Sequence, residues 1–259
     1  MASERLTRRS FLIRSGAVGG AVLLGGCDQL SQSPEFRDVL YKAEGATERV
    51  QRLVLSQRSL AREYTDADLS KHFKANGSTR VADPAYKQAL LGGFTDWRLK
   101  VDGLVERPTA LSLAELRTLP ARTQITRHDC VEGWSAIGKW TGVPLGLVLQ
   151  AAGLDPRARY VVFECADELE KTLDGTGLYY ESIDLVDAFH PQTILAYGMN
   201  GQDLPVEHGA PLRLRVERQL GYKQAKYIMR IKAVENFSDI GQGNGGFWED
   251  RGYEWYAGI

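Results

Sequence analysis

A single cysteine stands where the residue types of the chain are best suited to chemistry. Cys130 follows Arg127 and His128 and comes shortly before a Gly133-Trp134 pair. The thiolate of a cysteine attacks substrates and binds metals, and neighbouring cations lower the pKa of the thiol. Arg127 and a protonated His128 therefore predict an activated Cys130. The alternative is a small buried hydrophobic residue, because that is the usual setting of a free cysteine.

The composition of the chain excludes several classes of protein. It has 259 residues, of which 43% are hydrophobic and 25% charged, as in a globular protein of one large or two small domains. A formal net charge of -1 and the lack of a long basic run give no indication of nucleic-acid binding. The 3 cysteines and 4 histidines lie at no spacing typical of a zinc site or an HExxH motif.

Residues 1–27 predict an export signal. Thr7-Arg8-Arg9-Ser10-Phe11-Leu12 has the twin-arginine pattern, and a mildly apolar, glycine-rich run follows it. That run is shorter than the roughly 20 apolar residues of a membrane-spanning helix. Leu24-Gly25-Gly26-Cys27 resembles a lipobox, so that Cys27 would be lipidated and anchor the protein to the inner membrane. Cleavage of the signal without lipidation is the alternative.

A twin-arginine signal has a consequence for the mature protein. This route exports proteins that are already folded, typically because a cofactor was inserted in the cytoplasm. A cofactor held by folded walls would be lost if the chain were threaded unfolded. The signal therefore predicts a periplasmic protein that carries a cofactor.

The hydrophobic pattern predicts a mixed, strand-rich α+β fold. Spaced apolar residues from Pro34 to about Tyr64 predict one or two surface helices, broken near Gly45. Turn signals make residues 65–95 a long irregular loop, a kind of segment that is often functional. Further helices are predicted after Ser112, after Pro144 and from about Ser182 to Phe189, and strands at Trp97–Val105, Thr123–Arg127, Tyr160–Cys165, Thr193–Met199, Pro211–Glu217 and Tyr227–Val234.

Four blocks of sequence, in one order, resemble the sulfite oxidase family of molybdopterin-dependent oxidoreductases. They are Arg127-His128-Asp129-Cys130-Val131-Glu132-Gly133-Trp134-Ser135 with Trp140–Leu145, then Leu195–Gly201 with Leu204-Pro205, His208-Gly209-Ala210-Pro211-Leu212-Arg213, and Gly221-Tyr222-Lys223-Gln224-Ala225-Lys226. The resemblance spans about Trp97 to Val234 and implies a sulfite oxidase-like molybdopterin-binding domain. It is far more specific than a lone cysteine.

The resemblance implies a role for each matching residue. Cys130 matches the cysteine whose thiolate binds molybdenum. The other sulfur ligands of the metal come from the pterin dithiolene of the molybdenum-molybdopterin cofactor. Cys165 stands where exported methionine sulfoxide reductases of the family have a threonine that contacts the cofactor. The matches expected to hold the pterin and its phosphate are Asn76, Cys165, His208, Arg213, Gln224, Ala225 and Lys226.

Each of these residues also has an ordinary structural interpretation. Arg213 and Arg215 would be the solvent face of an alternating strand, Lys226 a surface lysine, and His208 and Asn76 turn residues. In an exported protein Cys130 and Cys165 would form a disulfide.

The chain departs from sulfite oxidase itself in ways that favour the periplasmic methionine sulfoxide reductase branch. Val131-Glu132-Gly133-Trp134 after Cys130 lacks the arginine that helps sulfite oxidases bind their dianionic substrate. We also expect neither a C-terminal immunoglobulin-like dimerisation domain nor a haem domain. The expected parts are the signal 1–27, helices and loop 28–95, the molybdopterin-binding domain 96–240, and an aromatic, glycine-rich tail 241–259 packed on that domain.

The implied function is two-electron oxygen-atom transfer at a molybdenum centre, with a sulfoxide as the substrate to be reduced. The chain has no CxxCH haem motif, so a membrane b-type cytochrome or a cytochrome c is expected to supply electrons. One alternative is oxidation of sulfite or another small anion by the same centre. Another is a non-enzymatic, lipid-anchored binding protein.

Overall fold

A computed structural model of the chain describes residues 33–54, 56, 58–173 and 176–259. The predicted export signal and Cys27 lie outside these residues, so their predictions stay predictions. Two compact units are distinguished, Met1–Leu53 and Val54–Ile259.

One described helix, α1, spans Pro34–Val54, and all of its residues except Val54 belong to the first unit. It passes through Gly45 without interruption, so the predicted break is wrong. A glycine inside a helix costs only about 1 kcal/mol relative to alanine, which a helix of 21 residues tolerates. None of the described helices is both long and apolar enough to cross a membrane.

Two sheets make up the described part of the second unit. Its strands are β1 Arg98–Gly103, β2 Thr109–Ser112, β3 Arg122–Cys130, β4 Trp134–Pro144, β5 Tyr160–Glu168, β6 Leu178–Asp184, β7 Ile194–Met199, β8 Gln202–Asp203, β9 Arg213–Arg215 and β10 Ile228–Val234. One sheet has the order β2-β1-β10-β5-β6, with β1 and β10 parallel. The other has the order β3-β4-β7-β8, and β9 pairs with β7. The predicted mixed, strand-rich fold is confirmed.

Short helices connect the strands: α2 Pro84–Leu91, α3 Leu113–Thr118, α4 Leu145–Ala152 and α5 Leu185–Ala188. The prediction that residues 65–95 are irregular is wrong for α2. Asp83 caps that helix, because its carboxylate accepts a hydrogen bond from the Tyr86 amide at 2.6 Å, and Pro84 occupies its first turn. The predicted helix from Ser182 is also wrong in extent, since Ser182 belongs to β6.

The hairpin of β3 and β4 places Cys130. The two strands pair without a shift from Arg122, opposite Gly142, to Cys130, opposite Trp134. Gly133 makes the turn with φ of 85°, a left-handed conformation that glycine adopts without strain. Cys130 is thus the last residue of its strand, beside the turn.

The aromatic tail packs onto β5 and β6. Phe247 is fully buried with its ring centroid 5.7 Å from that of Tyr179. Trp255 contacts Tyr160 edge-on at 5.4 Å and donates from Nε1 to the Ser182 hydroxyl at 2.9 Å. These contacts hold the tail beside the strands that carry Asp167 and Tyr179.

Candidate cofactor site

A cavity of about 220 Å³ lies where the end of β3 meets several loops. Cys130 contributes from β3, Asp167 from β5 and Tyr179 from β6. The other lining residues come from the loop before α2, the turn after β3, the end of β5, the segment before β10 and the tail: Asn76, Gly77, Ser78, Val131, Glu132, Leu169, Gly221, Tyr222, Gln224, Lys226, Trp248 and Tyr253.

Cys130 is half-buried, and burial raises the pKa of its thiol. The predicted lowering by its neighbours is therefore wrong for the protein without a bound group. Side chains alternate across a strand, so Arg127 lies on the face opposite Cys130 and pairs with Asp129 at 2.9 Å. His128 shares the face of Cys130, but burial, with Arg215 and Arg213, lowers its pKa well below the usual range and keeps it neutral.

Lys226 is a buried cation at this cavity. Its Nζ donates hydrogen bonds to the backbone carbonyls of Asn76 at 2.6 Å and Glu207 at 3.1 Å, and to that of Ser78. Burial and the charge of Arg213 lower the pKa of Lys226 to about 7. The side-chain oxygen of Asn76 is buried, with no hydrogen-bond partner in the described chain.

Arg213 is completely buried and does not line the cavity, but its charge acts on Lys226, which does. Its guanidinium carbon lies 4.8 Å from the ring centroid of Trp140, and NH1 donates to the His208 carbonyl at 3.0 Å. Its Nε and NH2 have no partner among the described residues. Burial, with the charge of Arg215, lowers the pKa of Arg213 to about 9. Buried donors without acceptors are rare and costly, so this guanidinium is suited to an anion that the chain itself does not supply.

His208 ends a short 3₁₀ helix, Val206–His208, and its ring meets that of Phe73 edge-on at 5.5 Å. Burial lowers the pKa of His208 to about 4, so the ring is neutral. Its Nδ1 is buried and unpartnered within the described chain. A neutral imidazole in this state can donate or accept one hydrogen bond.

The remaining predicted site residues lie in three different settings. Gln224 lines the cavity and donates from Nε2 to the Gln219 carbonyl at 3.2 Å. Ala225 is buried in the core, where its carbonyl accepts from the Leu214 amide at 2.8 Å. Cys165 is buried too but lines a second cavity, together with Tyr180, rather than the one with Cys130.

The structure excludes the ordinary interpretations of several of these residues. Arg213 and Arg215 are fully buried, so they are not the solvent face of a strand, and Lys226 is no surface lysine. Arg215 is fixed by Glu217, which accepts from its Nε at 3.0 Å and its NH2 at 2.6 Å. Cys130 and Cys165 are free thiols, so the disulfide alternative is wrong.

Sequence reasoning missed several lining residues. Asp167 is buried, and its Oδ2 accepts from the Ser78 hydroxyl at 2.5 Å, while its Oδ1 has no partner in the part of the chain that is described. Burial raises the pKa of Asp167. Asp167 is one of three acids in β5, with Glu164 and Glu168, so its residue type alone gave no signal that it lines the cavity. Trp248 and Tyr253 were identified only as packing residues of the tail.

The residues that line this cavity, together with Arg213 and His208 beside Lys226, fit a molybdopterin. Arg213 has unpartnered donors, and the lysine head of Lys226 lies nearby, which together suit the terminal phosphate of such a cofactor. Asn76 and His208 have unpartnered polar atoms that suit the ring system. Cys130 offers a soft sulfur ligand in the same cavity. The fold and the site together define a molybdopterin-binding oxidoreductase.

The chain belongs to the family described as oxidoreductase molybdopterin binding domain, whose model matches residues 88–240. This match confirms the predicted membership of the chain in the sulfite oxidase family. The enzyme is a molybdenum-dependent oxidoreductase, and its cofactor is molybdenum-molybdopterin. The non-enzymatic alternative is therefore wrong.

Relatives extend over most of the chain. A protein named as a candidate protein-methionine-sulfoxide reductase subunit, YedZ1 of Azospira oryzae, is 39% identical over 98% of this chain and 89% of its own length. The protein-methionine-sulfoxide reductase catalytic subunit MsrP of Xanthomonas campestris is 34% identical over 89% of this chain and 71% of its own length. The solved sulfane dehydrogenase SoxCD of Paracoccus pantotrophus is 25% identical, with a TM-score of 0.48, over 54% of this chain and 39% of that chain.

Proposed function

We propose that this enzyme reduces a sulfoxide, with protein-bound methionine sulfoxide as the substrate class. The observation that carries the proposal is the polarity of the cavity that contains Cys130. Its exposed lining side chains are Val131, Tyr253 and the acidic Glu132, whereas Lys226, the lysine of the lining, is buried. A sulfite dianion requires cations where it enters, whereas a sulfoxide is neutral. The names of the two protein relatives support the same substrate class.

In the proposed reaction a sulfoxide, two protons and two electrons give a thioether and water. The bound molybdenum centre supplies the two-electron change and the oxygen-atom transfer. Cys130 would hold the metal through its thiolate, whose formation is favoured by metal binding despite the raised pKa of the free thiol.

We propose that the phosphate side of the cofactor is held by Arg213 and Lys226. Arg213 would use its Nε and NH2, which lack protein acceptors in the described chain, as a bidentate donor pair. An anion beside Lys226 would also restore its usual positive charge, because it opposes the effect of burial on the pKa. His208, Asn76 and Gln224 would direct hydrogen bonds to the ring system, while Ala225 would act through its backbone and Cys165 from a more distant position.

We further propose that residues 96–240 form the cofactor domain and that the tail 241–259 completes the site. Residues 1–27 would direct export by the twin-arginine route to the periplasm, where Cys27 would anchor the protein if it is lipidated. The relatives are named as subunits, which supports a separate electron donor. That donor would be a membrane b-type cytochrome or a cytochrome c.

The test is turnover by protein purified from a molybdenum-replete host. With a reduced dye as electron donor, we expect reduction of methionine sulfoxide in a peptide and little oxidation of sulfite. The Arg213→Ala variant serves as a control that lacks the proposed phosphate donors. Brisk sulfite oxidation without sulfoxide reduction would overturn the proposed substrate class.

A further inference from the structure

The cavity that contains Cys130 has an inner and an outer side. Lys226, Gln224 and Asp167 are at most 5% exposed and form its inner side. Val131 is 44% exposed and Tyr253 is 41% exposed, and Glu132, which pairs with Lys74 at 2.8 Å, is exposed as well, so these three residues mark the outer side. A substrate that approaches the Cys130 sulfur from solvent therefore passes Val131, Glu132 and Tyr253.

Three aromatic side chains form a continuous wall in this cavity. The rings of Trp248 and Tyr253 are 5.2 Å apart at an interplanar angle of 39°. Tyr222 meets Tyr253 edge-on at 5.3 Å and an angle of 78°. We call Tyr222, Trp248 and Tyr253 the aromatic wall. It presents apolar, polarisable surface toward the cavity and no ionised group.

The aromatic wall is held in place by its own contacts. The Tyr222 hydroxyl donates to the Glu254 carbonyl at 2.6 Å, and the Tyr253 amide donates to the Trp248 carbonyl at 3.0 Å. Trp248 also packs edge-on against the buried ring of Phe247 at 5.3 Å. The wall is thus pre-formed, and little conformational freedom is lost when a ligand binds to it.

A buried ion cluster ties the wall to the proposed cofactor segment. Lys223 donates to the carboxylates of Glu181 and Glu249, each at 2.5 Å, and all three side chains are almost completely buried. Glu249 directly follows Trp248, and Lys223 directly precedes Gln224. The position of the wall is therefore fixed relative to the inner side of the cavity.

We propose that Trp248 and Tyr253 are specificity-determining residues that bind the S-methyl group of a methyl sulfoxide while its oxygen points inward toward Cys130. The proposal rests on the proposed function, because it takes a sulfoxide as substrate. Sulfur and methyl groups make favourable contacts with aromatic rings, and the rings lie on the path from solvent. The side chain of an oxidised methionine in an exposed loop fits this arrangement.

The test compares ligand binding in cofactor-loaded variants. Equilibrium dialysis with a labelled peptide containing methionine sulfoxide gives Kd without turnover. We expect Trp248→Leu and Tyr253→Leu to raise Kd about three- to tenfold, with a similar rise in KM and a kcat within about twofold of wild type. Trp248→Phe keeps a ring and should recover most of the binding. Trp255→Phe is the matched control, since Trp255 belongs to the tail but does not line the cavity.

Molybdenum content and thermal unfolding are measured on every variant. A purely structural role would lower molybdenum content or kcat and leave Kd unchanged in the loaded fraction, and that result would overturn the proposal. Failure of the wild-type protein to bind the peptide would also overturn it. If the peptide binds through the aromatic wall but is not reduced, the proposed binding role is supported and the proposed reaction is refuted. The two claims are therefore tested separately.

Discussion

Replacing Arg213 by methionine tests two effects of this buried cation separately. One is its effect on the free energy of unfolding of the cofactor-free protein, and the other is its proposed contribution to cofactor binding. In the cofactor-free protein the guanidinium is fully buried, and two of its nitrogens lack partners in the described chain. The substitution removes that cost but also loses the hydrogen bond to the His208 carbonyl and the contact with Trp140. Each unpaired buried donor costs about 1–3 kcal/mol, and a hydrogen bond from a charged group contributes about 1.5–3 kcal/mol.

These opposing effects nearly cancel, so we expect Arg213→Met to change the free energy of unfolding of the cofactor-free protein by at most about 1 kcal/mol. We expect the cofactor-loaded protein to behave differently, because the two charge-assisted hydrogen bonds that we propose between Arg213 and the phosphate would be lost. That loss is about 3 kcal/mol or more, which corresponds to about 100-fold weaker cofactor binding.

Arg215 offers a matched control on the same strand. It is equally buried, and its guanidinium lies 4.4 Å from the ring centroid of Trp140, but Glu217 pairs with it at 2.6 Å. Arg215→Met leaves the carboxylate of Glu217 buried without its cation, which we expect to lower the free energy of unfolding by about 3–5 kcal/mol.

Urea unfolding of the cofactor-free variants measures their free energy of unfolding. Molybdenum analysis of protein from a molybdenum-replete host measures how well each variant retains the cofactor. Two results would refute the reasoning about Arg213. One is an Arg213→Met protein that is as destabilised as Arg215→Met without cofactor, and the other is an Arg213→Met protein that retains stoichiometric molybdenum through dialysis.

Three further predictions follow from buried charges in the cofactor-free protein. His208 has a folded pKa of about 4 against about 6.5 when unfolded, so its contribution to stability is complete above pH 6.5 and is lost toward pH 4. In urea unfolding at several pH values, His208→Gln should reduce the change in the free energy of unfolding between pH 4 and 6.5. An unchanged pH dependence in the variant would contradict the attribution to His208. Lys226 has a folded pKa of about 7, so the free energy of unfolding should rise with pH from about 7 to 10. Lys226→Met, or bound cofactor, should abolish that rise in the same titration. Lys223→Met leaves two buried carboxylates unpaired and should lower the free energy of unfolding by about 3–5 kcal/mol and speed proteolysis of the tail, unlike the exposed Lys74→Met.

The sequence indicated those features that depend on local pattern. The Ser112 capping box starts α3 as predicted, with its hydroxyl accepting from the Glu115 amide at 3.1 Å. The predicted strands at Tyr160 and Tyr227 are β5 and β10, which pair with each other in the first sheet. The formation of each of these elements depends on residues close together in the chain.

Other features depend on what the tertiary fold places around a residue. The alternation of side chains along a short strand does not show which face of the strand is exposed to solvent. In this fold Arg213 is buried, and its guanidinium lies against the ring of Trp140. The cations beside Cys130 in the chain do not act on it, because one faces away and the other is neutral. Asp83-Pro84 has the composition of a turn as well as of a helix start, and only the following residues decide between them.

The aromatic tail is another segment whose tertiary contacts could not be predicted from the local sequence. Its many rings predicted packing, and Phe247 is indeed fully buried. Nothing in their spacing indicated that Trp248 and Tyr253 reach the cavity of Cys130, since the chain returns there through Glu249 and its contact with Lys223. A long-range ion pair of this kind leaves no pattern in the local sequence.

The central claim is that the Cys130 thiolate binds molybdenum in this enzyme. Molybdenum K-edge X-ray absorption on wild-type and Cys130→Ser protein, each loaded with cofactor, tests it directly. We predict that the variant retains pterin but has one sulfur neighbour fewer at the metal, and that its sulfoxide turnover is abolished. An unchanged number of sulfur neighbours in Cys130→Ser, or wild-type protein without molybdenum, would contradict the claim.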